Sequence, residues 1–170
     1  MRSARSEQVA ASPPSDGDRL ADEAAIIDLP LPTFIPTDYV ADTQLRIQLY
    51  RRMANLREKP EIDSLETELE DRFGAAPEPV KNLLYQLWIR RLTSQVQATS
   101  VVAEGQQISI RIPGLALVDR VAMQSALGHN VRVSRTAIWF PYLAMHMTSR
   151  WQDALPEILD RAAKFMYPQT

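Results

Sequence analysis

At Ala98 the spacing of large apolar side chains changes, and that change bounds the folds open to this chain. Upstream, Leu45, Leu49, Met53 and Leu56 recur at intervals of four, four and three, which sets them on one helical face. Ile62, Leu65, Leu69 and Phe73 repeat the pattern, and Val80, Leu84, Leu87, Trp88, Leu92 and Val96 extend it. Downstream, Ile108, Ile110 and Ile112 alternate with Ser109 and Arg111, the two-residue period of a strand with one buried face. A chain that groups its helices first and its strands later folds as α+β, not as an alternating α/β sheet.

The helix ends are marked. Asp42 or Thr43 can cap the first helix. The second runs from about Glu61 to Phe73, with Gly74 where a left-handed cap is wanted. The third begins near Pro77, since proline in the first turn sacrifices no hydrogen bond. With short joints, these three form an N-terminal helical subdomain. Val101, an Ala-Glu-Gly turn and 108–112 then read as a hairpin. Leu115 to Leu127 reads as a helix ended by Gly128. Val131 and Val133 pair with Thr136–Phe140 through a turn near Ser134–Arg135. A last helix carries Leu155, Ile158, Leu159, Ala162 and Met166, with Pro156 placing its start or a kink near Asp153. The expected fold is thus three helices, then a small, mostly antiparallel sheet of two hairpins with two further helices.

Two segments lie outside this periodicity. Residues 1–27 are rich in Ser, Ala, Asp, Glu and Pro and read as a flexible leader or linker. Residues 28–41 hold three prolines among Leu29, Leu31, Phe34, Ile35, Tyr39 and Val40, the composition of an apolar strap laid across the domain.

Composition removes several function classes. With no Cys there is no disulfide, thiolate zinc site or cysteine nucleophile. The 5 glycines stand alone, so there is no G-x-G pair and no phosphate-cradling loop. His129 and His146 are the only histidines and lack metal-ligand spacing. Their settings, a Gly-His-Asn turn and a place between two methionines, read as a surface turn and a packed strand. No cofactor is expected in this chain. No run approaches a bilayer span and no apolar core marks a secretion signal, so a cytoplasmic location is expected.

The net charge of −2 dissolves on inspection. Arg2, Arg5 and Arg19 against Glu7, Asp16, Asp18, Asp22 and Glu23 place it in the leader, leaving 28–170 formally neutral. Inside that neutral part, 43–57 carry Arg46, Arg51, Arg52 and Arg57 without an acid. The next segment, 58–71, is acidic apart from Lys59. A solvated helix pair explains such runs in general. Glu68, Asp71 and Arg72, spaced i, i+3 and i+4, share one helix face and form a polar row able to dock on a charged surface. Arg90, Arg91 and the set Arg111, Arg120, Arg132 and Arg135 offer a DNA- or polymerase-binding alternative. Their scattered spacing, without interleaved exposed aromatics, argues against direct nucleic-acid binding. Trp88, Trp139 and Trp151 lie in apolar patterns and read as core.

Two stretches carry a family resemblance, DLPLPTFIPTDYVADTQLRIQLYRRMA at 28–54 and ELEDRFGAAPEPVKNLL at 68–84. Asp38-Tyr39, Leu45-Arg46, Leu49-Tyr50, Arg52, Asp71 to Gly74, Pro77 and Pro79 fall in the register of the C-terminal domain of bacterial transcription-repair coupling factor. Residues 28–170 would be that regulatory domain. The resemblance implies a whole protein that is an ATP-dependent DNA translocase, displacing stalled RNA polymerase at lesions and recruiting nucleotide excision repair. ATP and Mg would belong to its motor, upstream of this domain. The domain itself would be a non-catalytic autoinhibitory clamp, packed on a UvrB-like module and masking the surface that UvrA binds. By position, the contacts to that module fall on Glu68, Asp71 and Arg72.

Overall fold

A computed structural model describes residues 25–142 and 150–167. In chain order the elements are β1 (Ile26–Asp28), α1 (Thr43–Asn55), α2 (Lys59–Phe73), α3 (Glu78–Gln95), β2 (Ser100–Glu104) and β3 (Gln107–Arg111). A 3-10 turn (Pro113–Leu117), α4 (Arg120–Leu127), β4 (Arg132–Val133), β5 (Ala137–Pro141) and α5 (Trp151–Met166) follow. The architecture is α+β. One sheet has the order β1-β2-β3-β5-β4, antiparallel throughout except for the parallel β1/β2 pair.

The ends of the elements follow local chemistry. Asp42 is the cap of α1, its carboxylate accepting from the Leu45 amide at 3.0 Å. α2 begins two residues before the expected Glu61, because the Glu61 carboxylate reaches back to the amides of Arg57 and Glu58 at 2.8 and 2.9 Å. Those amide contacts also hold the Glu61 carboxyl below its ordinary value. Val96, expected on the face of α3, is instead the buried residue just beyond its last turn. The expected helix 115–127 is split. Asp119 accepts from the amides of Val121 and Ala122, so a fresh helix starts at Arg120 and 113–117 tightens into the 3-10 turn. β1 takes Ile26 and Ile27 out of the segment read as leader and pairs them with Ser100 and Val101. Residues 1–24 of that segment lie outside the described residues.

Two cores share one helix. The first packs Leu49 and Met53 of α1, Ile62, Leu65 and Leu69 of α2, and Val80, Leu84 and Leu87 of α3. The strap adds Ile35 and Val40. Burying a side chain of this size contributes about 1.5–3 kcal/mol. The strap is also tied by polar contacts: Tyr50 Oη accepts from the Ile35 amide at 2.7 Å, and Asn82 donates to the Pro32 carbonyl at 3.0 Å. The second core joins the far half of α3 (Ile89, Leu92) to Ile108, Ile110, Ile138 and Phe140 of the sheet and Leu155, Ile158, Leu159 and Ala162 of α5. Trp88 packs against both cores.

α5 starts at Trp151 and runs through Pro156. Proline has no amide hydrogen, so the carbonyl four residues earlier, Gln152, loses its helical donor. Tyr85 of α3 supplies one, its hydroxyl donating to that carbonyl at 2.9 Å.

Candidate docking site

The polar row read from the sequence sits at the C-terminal end of α2, beside α1. Leu65 and Leu69 are fully buried on one side of α2 and orient the helix, leaving Glu68 at the boundary and Asp71 and Arg72 exposed. The Glu68 carboxylate is the hub. Arg52 Nη1 of α1 donates to its Oε2 at 2.6 Å, and Arg72 Nη1 to its Oε1 at 3.0 Å. These two guanidinium contacts, Arg52 first, hold the Glu68 carboxyl below its ordinary value. Arg72 also lies over the Phe73 ring, 5.1 Å from its centroid, so its planar group is fixed from two sides.

The end of α2 is itself anchored. Gly74 closes the helix with φ +84° and ψ −172°, a conformation open to glycine and strained for other residues. The Tyr39 hydroxyl reaches the carbonyls of Leu69 and Gly74 at 3.1 and 2.9 Å, its single proton shared between them. Burial, then the nearby Glu70 carboxylate, raises the Tyr39 hydroxyl above its ordinary pKa. The Asp38-Tyr39 motif therefore fastens the strap to the helix end that carries the polar row.

Glu68, Asp71 and Arg72 are brought together but do different things. Glu68 is an internal clasp between α1 and α2, whereas Asp71 makes no ion pair among the described residues and points its charge outward. Arg52 completes the cluster and went unread as a member. Its signal was the acid-free basic run of α1, but spacing along the chain could not show which carboxylate that run would meet. Among the described residues Arg52–Glu68 is the ion pair that joins the two charge runs, while Lys59 pairs with Asp63 inside the acidic run and Arg91 of α3 meets Glu58 at 3.4 Å.

The alternative basic residues divide. Arg91 is committed to Glu58, and Arg90 is half-buried with its Nε shielded and without a hydrogen-bond partner. Those two residues form no open patch. Arg111 and Arg132 lie on the solvent side of the sheet, and the Arg132 guanidinium sits 4.7 Å from the Trp139 ring centroid. The reading of Trp139 as core is corrected: strand register turns it to the face opposite Ile138 and Phe140. Trp151 packs half-buried against the second core. His129 is exposed in the turn after α4, and His146 lies outside the described residues. Among the described residues no group of three His, Asp or Glu is placed to hold a metal ion, and no helix is long and apolar enough to cross a membrane.

The profile of the TRCF domain family matches residues 29–120, which takes in the strap, the three helices and the polar row. The transcription-repair-coupling factor of Haemophilus influenzae is 36% identical over 89 residues, 52% of this chain and 8% of that protein. That of Mycobacterium bovis is 37% identical over 93 residues, 55% of this chain and 8% of that protein. That of Rickettsia bellii reaches 45% over 58 residues, 34% of this chain and 5% of that protein. This chain thus spans less than a tenth of the length of these curated relatives. A crystal structure of the C-terminal domain of transcription-repair coupling factor superposes with a TM-score of 0.66 over 84% of this chain and 94% of that one, at 16% identity. That last match is one of fold.

Proposed function

Because the chain belongs to the TRCF domain family, a domain of the transcription-repair coupling factor, we propose that it serves transcription-coupled repair as a non-catalytic regulatory clamp. In this reading it docks on the UvrB-like module and occludes the surface that UvrA binds. ATP and Mg are the business of a motor elsewhere in the whole protein, and RNA polymerase is met by that assembly in the cytosol. The observation that carries the reading is the end of α2, where Arg52 and Arg72 lock Glu68 and leave Asp71 outward on a helix terminus pinned by Tyr39. A rigid, partly desolvated charge row suits recognition that fixes register and partner choice. It also suits release. A clamp acts through its differential contacts in the closed state, and a modest interface keeps that equilibrium within reach of a competing ligand.

The test is a calorimetric titration of the UvrB-like module with Asp71→Lys and with the unaltered chain. Asp71 is the discriminating position, since reversing Glu68 would also break the α1–α2 clasp. The expected result is a loss of roughly tenfold or more in affinity with an unchanged circular dichroism spectrum. Equal affinities would overturn the site.

A further inference from the structure

We propose that the solvent face of the sheet, centred on Trp139, is a binding platform for single-stranded nucleic acid. Register defines the face. Ser109, Trp139 and Arg132 lie side by side across β3, β5 and β4, and Arg111 stands beside Ala137 one step along. The other face of the same strands, with Ile108, Ile110, Ile138 and Phe140, is buried in the second core. Arg111 and Arg132 are exposed, and Arg135 is exposed in the β4–β5 turn at the same end of the sheet.

Three features select the occupant. Between Gly105 and Tyr142 the charged residues are Arg111, Arg120, Arg132 and Arg135, with Asp119 as the sole acid. Asp119 accepts from the amides of Val121 and Ala122 at the start of α4. Asp28 and Glu104 share this face at the β1/β2 edge, so the positive charge of Arg111, Arg132 and Arg135 is confined to its β3-β5-β4 half. Second, the residues beside the indole are small. Ser109 and Ala137, the neighbours of Trp139 on this face, are small residues buried beneath the side chains around them, and Trp139 itself is half-buried. Third, the Arg132 guanidinium already occupies a stacking distance from the indole, and a base can join that stack while the arginines meet phosphates. A half-exposed aromatic on a sheet face with arginines at its rim suits a single strand, since the bases of a duplex are hidden in the stack. This face is separate from the end of α2, so the two proposals fail independently.

The experiment is a fluorescence-anisotropy titration of the full chain into a labelled oligothymidylate of about 15 nucleotides at about 50 mM salt. Binding should weaken roughly 20-fold between about 50 and 200 mM salt if Arg111, Arg132 and Arg135 each displace a counterion. Trp139→Leu should weaken it by about 5- to 100-fold, as should an abasic strand of the same length offered to the unaltered chain. Arg111→Glu with Arg132→Glu should abolish it. The abasic strand keeps the idea testable should Trp139→Leu fail to fold. No binding at low salt, equal affinity for the abasic strand, or tighter capture of a polyglutamate peptide would each overturn it. The last result would mark the face as a dock for acidic protein.

Discussion

The hydroxyl of Tyr85 donates to the carbonyl of Gln152, the one carbonyl in α5 whose helical donor is removed by Pro156. A residue of α3 thus repairs a defect in α5, and the two helices are fastened where a proline would otherwise leave a partly buried acceptor without its helical partner.

Tyr85→Phe should therefore cost about 0.5–1.5 kcal/mol, the net contribution of a hydrogen bond at a partly buried site. In a Pro156→Ala background the restored amide of residue 156 satisfies Gln152, and the same Tyr85→Phe change should cost markedly less. A double-mutant cycle by urea denaturation measures the difference. Equal costs in both backgrounds would show that Tyr85 acts through packing on Trp151 alone, with which it makes an edge-on ring contact at 6.4 Å.

Alkaline pH tests the same residue. Burial, then the Asp153 charge, pushes the Tyr85 hydroxyl well above its ordinary value of 10.0. The unfolded chain releases that proton more readily than the folded one, so the stability linked to Tyr85 is complete below pH 10.0 and falls as pH climbs above it. Denaturation midpoints across this range should drop more steeply for the unaltered chain than for Tyr85→Phe.

The Glu68 clasp has the opposite sign. Its carboxyl is held below the ordinary 4.5, so its stabilisation is present above that pH and is lost as pH falls through the lower folded value. Glu68→Gln should cost less than about 1 kcal/mol at neutral pH, because the group is partly exposed and screened. The deficit should shrink in high salt and vanish in acid, as read from urea midpoints.

Gly74→Ala should destabilise by about 1–3 kcal/mol. An added Cβ would meet nothing within 4 Å, so the cost is backbone strain at φ +84° and not crowding. Tyr39→Phe removes the shared hydroxyl from the same terminus and should cost about 0.5–1.5 kcal/mol, with faster amide exchange along the strap. Thermal melts of the two single variants and the pair should show sub-additive losses, since both loosen one helix end.

The helices were legible because each announces its own face and its own caps: Asp42, Pro77 and Gly74 act within a few residues of where they sit. The strap was legible for a similar reason, as prolines and large apolar side chains together leave few other uses. Asp119 is a cap signal set inside an apolar run whose helical period continues on both sides of it, so periodicity alone hides the break that its carboxylate makes. β1 was hidden by brevity: three residues at the end of a polar leader reveal a strand only through a partner some seventy positions away. The polar row was visible as a helix face, but Arg52 joins it across sixteen residues of sequence through packing alone. Trp139 was misread for the same reason. An alternating strand has two faces, and periodicity alone cannot say which of them meets the core.

α3 gives one rod to two cores, with Leu87 on one side, Ile89 on the other and Trp88 touching both. Among the described residues, a rotation of α3 therefore disturbs both packings at once. Such a body is seated or unseated whole, as a key is, and a partner that loosens one end has moved the other.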